Sequence, residues 1–140
     1  MIILDTNVIS ELLRREPSAA VETRLRGFPS GERFTTVVSE AEIRLGLAIL
    51  PEGRKKHALQ VRVDEILREV FADRILPFDS AAAQIYAEIA AGRRAAGRPI
   101  SLADAQIAAI ARVHAASLVT RNVRDFDGCG LKVIDPWDES

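Results

Sequence analysis

The chain has 140 residues with nearly balanced charge, 19 Lys and Arg against 20 Asp and Glu for a net −1, and a single cysteine, Cys129. Such a length fits one domain, residues 1–140, that can fold without disulfides or a structural metal, and Cys129 reads as a small packing residue. The composition excludes a disulfide scaffold and a broad electrostatic grip on nucleic acid. No apolar run approaches the ~18 residues of a membrane helix, and without a charged-then-apolar leader the expected location is the reducing cytoplasm.

Met1 to Leu4 reads as a short apolar strand, and Asp5 follows where it can cap a helix beginning near Thr6. The next helix is expected from Ser18 to about Leu25, closed by the Gly27 to Gly31 loop with its Pro29. Phe34 to Val38 is rich in β-branched residues and forms the second strand. Ser39-Glu-Ala-Glu42 then has capping-box spacing and opens a helix carrying Ile43, Leu47 and Leu50. Beyond the polar loop of Pro51 to Lys56, the residues Leu59, Val63, Ile66, Leu67 and Val70 make an apolar stripe on one long helix. Arg74 to Phe78 is a brief third strand. Asp79 caps a helix that carries Ile85, Tyr86 and Ile89 and stops at Gly97, since Pro99 lies two residues beyond. Ser101-Leu-Ala-Asp104 is a second capping box, opening a helix to about Ala115; Leu118 to Thr120 and Leu131 to Ile134 complete the strands.

Strands alternating with helices imply parallel pairing through right-handed crossovers, a three-layer α/β domain. In such sheets ligands bind beyond the carboxyl ends of the strands. Asp5, Glu42, Asp104 and the segment from Thr120 to Asp125 all fall at that pole. Two carboxylates about 4 Å apart repel by roughly 4 kcal/mol at an effective dielectric of about 20, so three together call for a cation. An all-oxygen donor set without histidine or cysteine favours Mg²⁺ or Mn²⁺ over zinc. The alternative, left open by spacing alone, is local: Asp5 as a helix cap, with Glu42 and Asp104 reaching back to the serines three residues earlier.

Five segments in order add to this: Met-Ile-Ile-Leu-Asp5-Thr-Asn-Val-Ile-Ser-Glu, Ser-Glu-Ala-Glu42-Ile-Arg-Leu-Gly, Ile-Leu-Pro-Phe-Asp79, Ile-Ser-Leu-Ala-Asp104-Ala-Gln, and Leu-Val-Thr-Arg-Asn122-Val-Arg-Asp125-Phe, followed by a closing Asp-Pro-Trp137. Over essentially its whole length the chain resembles the PIN-domain ribonuclease toxins of the VapC family, most closely the FitB-like branch. The resemblance implies a parallel sheet of four or five strands in the order 3-2-1-4-5. It also implies an Mg²⁺- or Mn²⁺-dependent endoribonuclease, the toxin of a type II toxin–antitoxin system, in which a metal-activated water hydrolyses RNA and leaves 5′-phosphate and 3′-hydroxyl ends. The implied partners are a VapB-like antitoxin and a second copy of the chain, the homodimer forming a dimer of dimers in the antitoxin complex and meeting operator DNA only through the antitoxin.

Residue by residue, Asp5, Glu42 and Asp104 match the family's acidic, metal-holding positions. Asn122 stands where many relatives carry an aspartate; its amide oxygen can hold water but supplies no charge, and Asp125, one turn on, is the other candidate. Thr6 and Thr120 can add hydroxyl contacts around the site, and Arg121 and Arg124 are candidate RNA contacts. Arg93, Arg94 and Arg98 fall at a helix C-terminus, where cations suit the helix dipole. Leu45 and Ile49, with a leftover face of the Leu59 to Val70 helix, are a candidate antitoxin groove; Ile85, Tyr86 and Ile89 are core or dimer interface. His57 and His114 lie apart from the acids, and Trp137 pins the tail. A haloacid-dehalogenase phosphatase wants an aspartate where Asn7 stands, and a receiver domain needs an acidic pair that is missing. The rival reading is a weakly or non-catalytic PIN-fold module acting with its antitoxin on operator DNA.

Overall fold

The computed structural model describes residues 1–138. Strands β1 (Ile2–Leu4), β2 (Arg33–Thr36), β3 (Ile75–Leu76), β4 (Ser117–Val119) and β5 (Val133–Ile134) form one sheet in the order β3-β2-β1-β4-β5, every pairing parallel. Five strands in the expected order are therefore present. β1 is central and apolar throughout because both its faces are covered: Ile2 and Leu4 enter one core cluster, Ile3 the other.

The first cluster is closed by α1 (Thr6–Leu12), α2 (Ala19–Arg26), α3 (Val37–Ala48) and α4 (Arg54–Asp64), the second by α5 (Ser80–Ala95) and α6 (Leu102–Val113). In α6 Ile107, Ala108, Ala109, Ile110 and Ala111 are all fully buried, as expected of a helix apolar on every side, and its alanines permit close approach to neighbours. Ile85, Tyr86 and Ile89 of α5 pack into this second cluster, so they are core. The chain reverses direction across the sheet at β1, whose neighbours are β2 and β4. A crevice opens at that switch point, beyond the strands' carboxyl ends.

Three local expectations are corrected. The long helix after Pro51 is α-helical only to Asp64; from Glu65 to Val70 it widens into a π-helix, with Phe71 N–H donating to the Ile66 carbonyl at 3.0 Å. Leu59, Val63, Leu67 and Phe71 recur every fourth residue, and an α-helix drifts by about 40° per four residues, so the wider turn keeps Val63, Leu67 and Phe71 all buried. The second strand ends at Thr36, and Val37 and Val38 enter α3 despite their β-branching. The cap of α3 is consequently Thr36, whose hydroxyl oxygen accepts from the Ser39 N–H at 3.1 Å. The expected capping box at Ser39 and Glu42 does not form. Glu42 is the sixth residue of the helix, and its side chain is free to serve the crevice. At α6 the expected cap is present, Ser101 Oγ accepting from the Asp104 N–H at 3.1 Å.

Thr36 is fully buried, so its replacement removes both a cap and a satisfied polar group. Thr36→Ala is expected to lower unfolding free energy by about 1–2 kcal/mol in urea titration; an unchanged midpoint would place the cap elsewhere.

Candidate active site

A cavity of about 560 Å³ occupies the crevice, and Asp5, Glu42, Asp104 and Asn122 all line it. Asp5 lies one residue past β1 and is only 4 % exposed; its N–H donates to the Val119 carbonyl at 2.9 Å, extending the sheet, while its carboxylate caps α1. Oδ1 accepts from the Thr6 N–H at 2.8 Å, and Oδ2 accepts from the Thr120 hydroxyl at 2.8 Å. Thr120 Oγ1 itself accepts from Asn7 Nδ2 at 3.0 Å and from the Asn122 N–H at 3.1 Å, so its one proton is committed to Asp5. Asn7 is oriented in turn by the Arg121 N–H, which donates to its Oδ1 at 3.1 Å.

Glu42 is held from α1: Thr6 Oγ1 is 2.6 Å from Glu42 Oε1 and 2.9 Å from Ser39 Oγ, and with one proton to give it donates to the carboxylate. Asp104, in the first turn of α6, is half-buried. Burial raises its carboxyl pKa, with Asp125 and Glu42 pushing the same way, while the Ser101 hydrogen bond and Arg93 oppose them. Asp5 is pushed up to about 6: burial dominates and the charges of Asp104 and Glu42 add to it, against the hydrogen bonds from Thr120 and Thr6. No lysine or arginine forms an ion pair with Asp5, Glu42 or Asp104 among the described residues. Nor do any three His, Cys, Asp or Glu side chains there stand close enough, as oriented, to hold one ion together. The acids share a cavity without converging on a point, and Thr6 holds Glu42 by its hydrogen bond. Of the other expected residues, Thr6 and Arg121 line the cavity, whereas Thr120 lies behind Asp5. Asp125 bears on Asp104 electrostatically without lining the cavity, and Arg124 is exposed outside it.

The sequence profile of the PIN domain matches residues 2–128. The chain belongs to the PIN-domain family. Among curated PIN-domain relatives, this one is 40% identical over 139 residues to Toxin FitB of Neisseria gonorrhoeae, covering 99% of this chain and 100% of that one. It is 41% identical to the plasmid stability protein StbB of Pseudomonas syringae pv. tomato, with 99% of both chains covered. Against VapC ribonuclease Y4jK of Sinorhizobium fredii the identity is 38%, again over 99% of each. Among solved structures, FitAB bound to an IR36 DNA fragment superposes with a TM-score of 0.92 at 39% identity, covering 100% of this chain and 98% of that one. FitAcB from Neisseria gonorrhoeae superposes with a TM-score of 0.90 at 40% identity, covering 98% and 99%.

This PIN domain has site residues that sequence reasoning did not single out. Asn7 aligns Thr120 against Asp5, and only its place two residues after a strand-end aspartate hinted at a role. Glu11 is buried on the cavity wall, where it pairs with Arg14 at 3.3 Å and accepts from the Ser18 N–H at 2.9 Å. Arg93 lies in the last turn of α5, as expected, but its role is larger than a dipole contact: it is 8 % exposed and donates to the main-chain carbonyls of Arg98, Asp125 and Asp127, fastening the loop after Asn122 to α5. Cys129 is buried beside it, as a packing residue.

The raised pKa of Asp5 carries a signed consequence for stability. Because the native state holds the Asp5 proton more tightly than the unfolded chain, native protein binds more protons between pH ~4 and ~6, and stability is lost as pH rises through that window before levelling off. Asp5→Asn escapes this loss. In chelator, its stability relative to wild type is expected to rise by about 2 kcal/mol from about pH 4.5 to about pH 7.5. A pH-independent difference in urea titrations would contradict the charge argument.

Proposed function

We propose that this PIN domain is the toxin of a type II toxin–antitoxin system and acts as an endoribonuclease dependent on Mg²⁺ or Mn²⁺. The observation that carries the reading is the buried Asp5 carboxylate at the switch point of the sheet, sharing a cavity with Glu42 and Asp104 and paired with no cation among the described residues. The donor chemistry fits a hard dication. Mg²⁺ keeps several waters and is bound through one or two carboxylates, so acids that line a cavity without meeting at one point suit it. Asp5 and Asp104 would hold the ion, with Glu42 contributing directly or through water.

When bound, such an ion supplies acidification of a water molecule and neutralisation of the charge that builds on the scissile phosphate. Thr120 and the Thr6 N–H favour the ionised form of Asp5 and aim it; Thr6 Oγ1 aims Glu42. Asn122, exposed at the cavity wall and with no side-chain hydrogen bond among the described residues, offers its amide to a water or a phosphate oxygen in place of a fourth acid. Asp125 then acts through Asp104, not on the phosphate.

The partner expected is a VapB-like antitoxin, as FitAcB and FitAB are the assemblies this chain superposes on. Leu45 and Ile49, 64 % and 74 % exposed on α3, and Val61 on α4 offer an apolar face for an antitoxin helix. Homodimerisation, pairing of dimers in the antitoxin complex, contact with operator DNA through the antitoxin alone and a cytoplasmic location belong to the same reading. No helix of the described residues is long and apolar enough to cross a membrane. A second reading, a regulatory module of low catalytic power, draws on the neutral Asn122 and on the likeness to FitAB bound to DNA.

Antitoxin-free protein is expected to cleave RNA with Mn²⁺ or Mg²⁺, and Asp5→Asn to lose about a hundredfold or more in rate. Wild type that leaves RNA intact with both ions would favour the regulatory module. Mn²⁺ should also raise the melting temperature of wild type but not of Asp104→Asn, because only a ligand of the native state stabilises it; equal shifts would mean that Asp104 does not hold the ion.

A further inference from the structure

Trp137 is the one tryptophan of the chain and the one aromatic side chain on the wall of the acidic cavity. It is partly buried, packed against the core cluster of β1 and α1, and its N–H donates to Asp135 Oδ1 at 2.9 Å, which fixes the backbone that carries the indole. Over its ring lies the guanidinium carbon of Arg121, 4.7 Å from the centroid. Arg121 shares the cavity with Asp5, Glu42 and Asp104, yet its guanidinium forms no ion pair and no hydrogen bond among the described residues. It is held on the aromatic ring, its main chain anchored by Asn7.

A planar cation resting on an indole and exposed on its other side is a stacking surface for a nucleobase. Unpaired bases of single-stranded RNA are held by stacking on aromatic rings and on arginine planes. A chain of net charge −1 attracts a polyanion only weakly at long range, so contacts to bases gain weight over contacts to phosphates. We propose that Trp137 and Arg121 form a subsite for one unpaired nucleobase next to the scissile phosphate: Arg121 touches the base, and Trp137 is a positioning residue that keeps the guanidinium flat. The subsite rests on the nuclease reading of the acids.

The lone tryptophan reports on this subsite without interference. Full-length protein, with Ca²⁺ replacing Mn²⁺ to slow cleavage, is titrated with a short single-stranded RNA and with an abasic sugar–phosphate oligomer of equal length and charge while indole fluorescence is followed. RNA is expected to give a saturable change and the abasic oligomer none. Arg121→Met and Arg121→Lys are both expected to weaken RNA binding about tenfold, since lysine keeps the charge but not the plane. In cleavage with Mn²⁺ the loss should fall on KM, with kcat nearly unchanged. Binding by the Trp137 variants, which lack the indole, is read from the fluorescence anisotropy of a dye-labelled RNA of the same sequence, and there Trp137→Phe should retain most of the binding. Trp137→Leu should behave like Arg121→Met, and the exposed Arg121 keeps the test valid should that variant fold poorly. An abasic oligomer that titrates like RNA, or Arg121→Lys binding like wild type, would reduce Arg121 to a phosphate contact and overturn the proposal. Wild-type cleavage alongside a flat RNA titration would overturn the platform and leave the nuclease standing; base-dependent titration without cleavage would uphold the platform and sink the nuclease.

Discussion

Taking the Asp5 carboxylate out of water at the end of the central strand is unfavourable, and the arrangement around the crevice offsets that cost only in part. Three donors serve it, the Thr6 N–H at a helix start, the Thr120 hydroxyl and, at 3.4 Å, the Asn7 amide, yet burial still outweighs the hydrogen bonding and lifts its pKa to about 6. The neighbouring charges of Glu42 and Asp104 add to the strain. A fold seeking only stability would place an asparagine or a serine there. The sheet order makes the position possible: with β2 on one side of β1 and β4 on the other, the following helices part at Asp5, and the end of the strand is left open to a cavity.

The surrounding residues divide the work by range. Thr120, Asn7 and the Asn122 N–H form a chain of hydrogen bonds in which Thr120, accepting from the other two, gives its one proton to Asp5, and this chain fixes Asp5 against the strand beside it. Thr6 does the same for Glu42 across from α1 to α3. Arg93 works from outside the cavity. By donating to three main-chain carbonyls it sets the course of the loop that carries Asn122 and Asp125, and its charge lowers the pKa of Asp104. One buried arginine thus supports the acids mechanically and electrostatically without reaching the space a substrate would use.

How far the sequence exposes all this follows the locality of the interactions. Asp5, Asp79 and Ser101 were legible as caps because a cap is decided within four residues, and the five strands were legible because apolar runs alternate with helical periods. Thr36 was not, since the β-branched Val37 and Val38 favour a strand on propensity, and tertiary packing of α3 decides otherwise. The π-helix after Asp64 hides in a four-residue spacing that an α-helix nearly satisfies. Asn7 and Thr120 are 113 residues apart in the chain, and Arg93 binds carbonyls that any residue could supply, so neither leaves a local trace. Three acids at helix starts were visible as a pattern; their common cavity, and Glu42's release from a capping role, needed the fold.

The acids gathered at the end of β1 are proposed to hold a hard dication. The most direct test is an anomalous difference map from crystals soaked in Mn²⁺. One strong peak is expected inside the cavity, about 2.1 Å from oxygens of Asp5 and Asp104. A map with no peak there under saturating Mn²⁺, or with Mn²⁺ only at surface acids outside the cavity, would contradict that role.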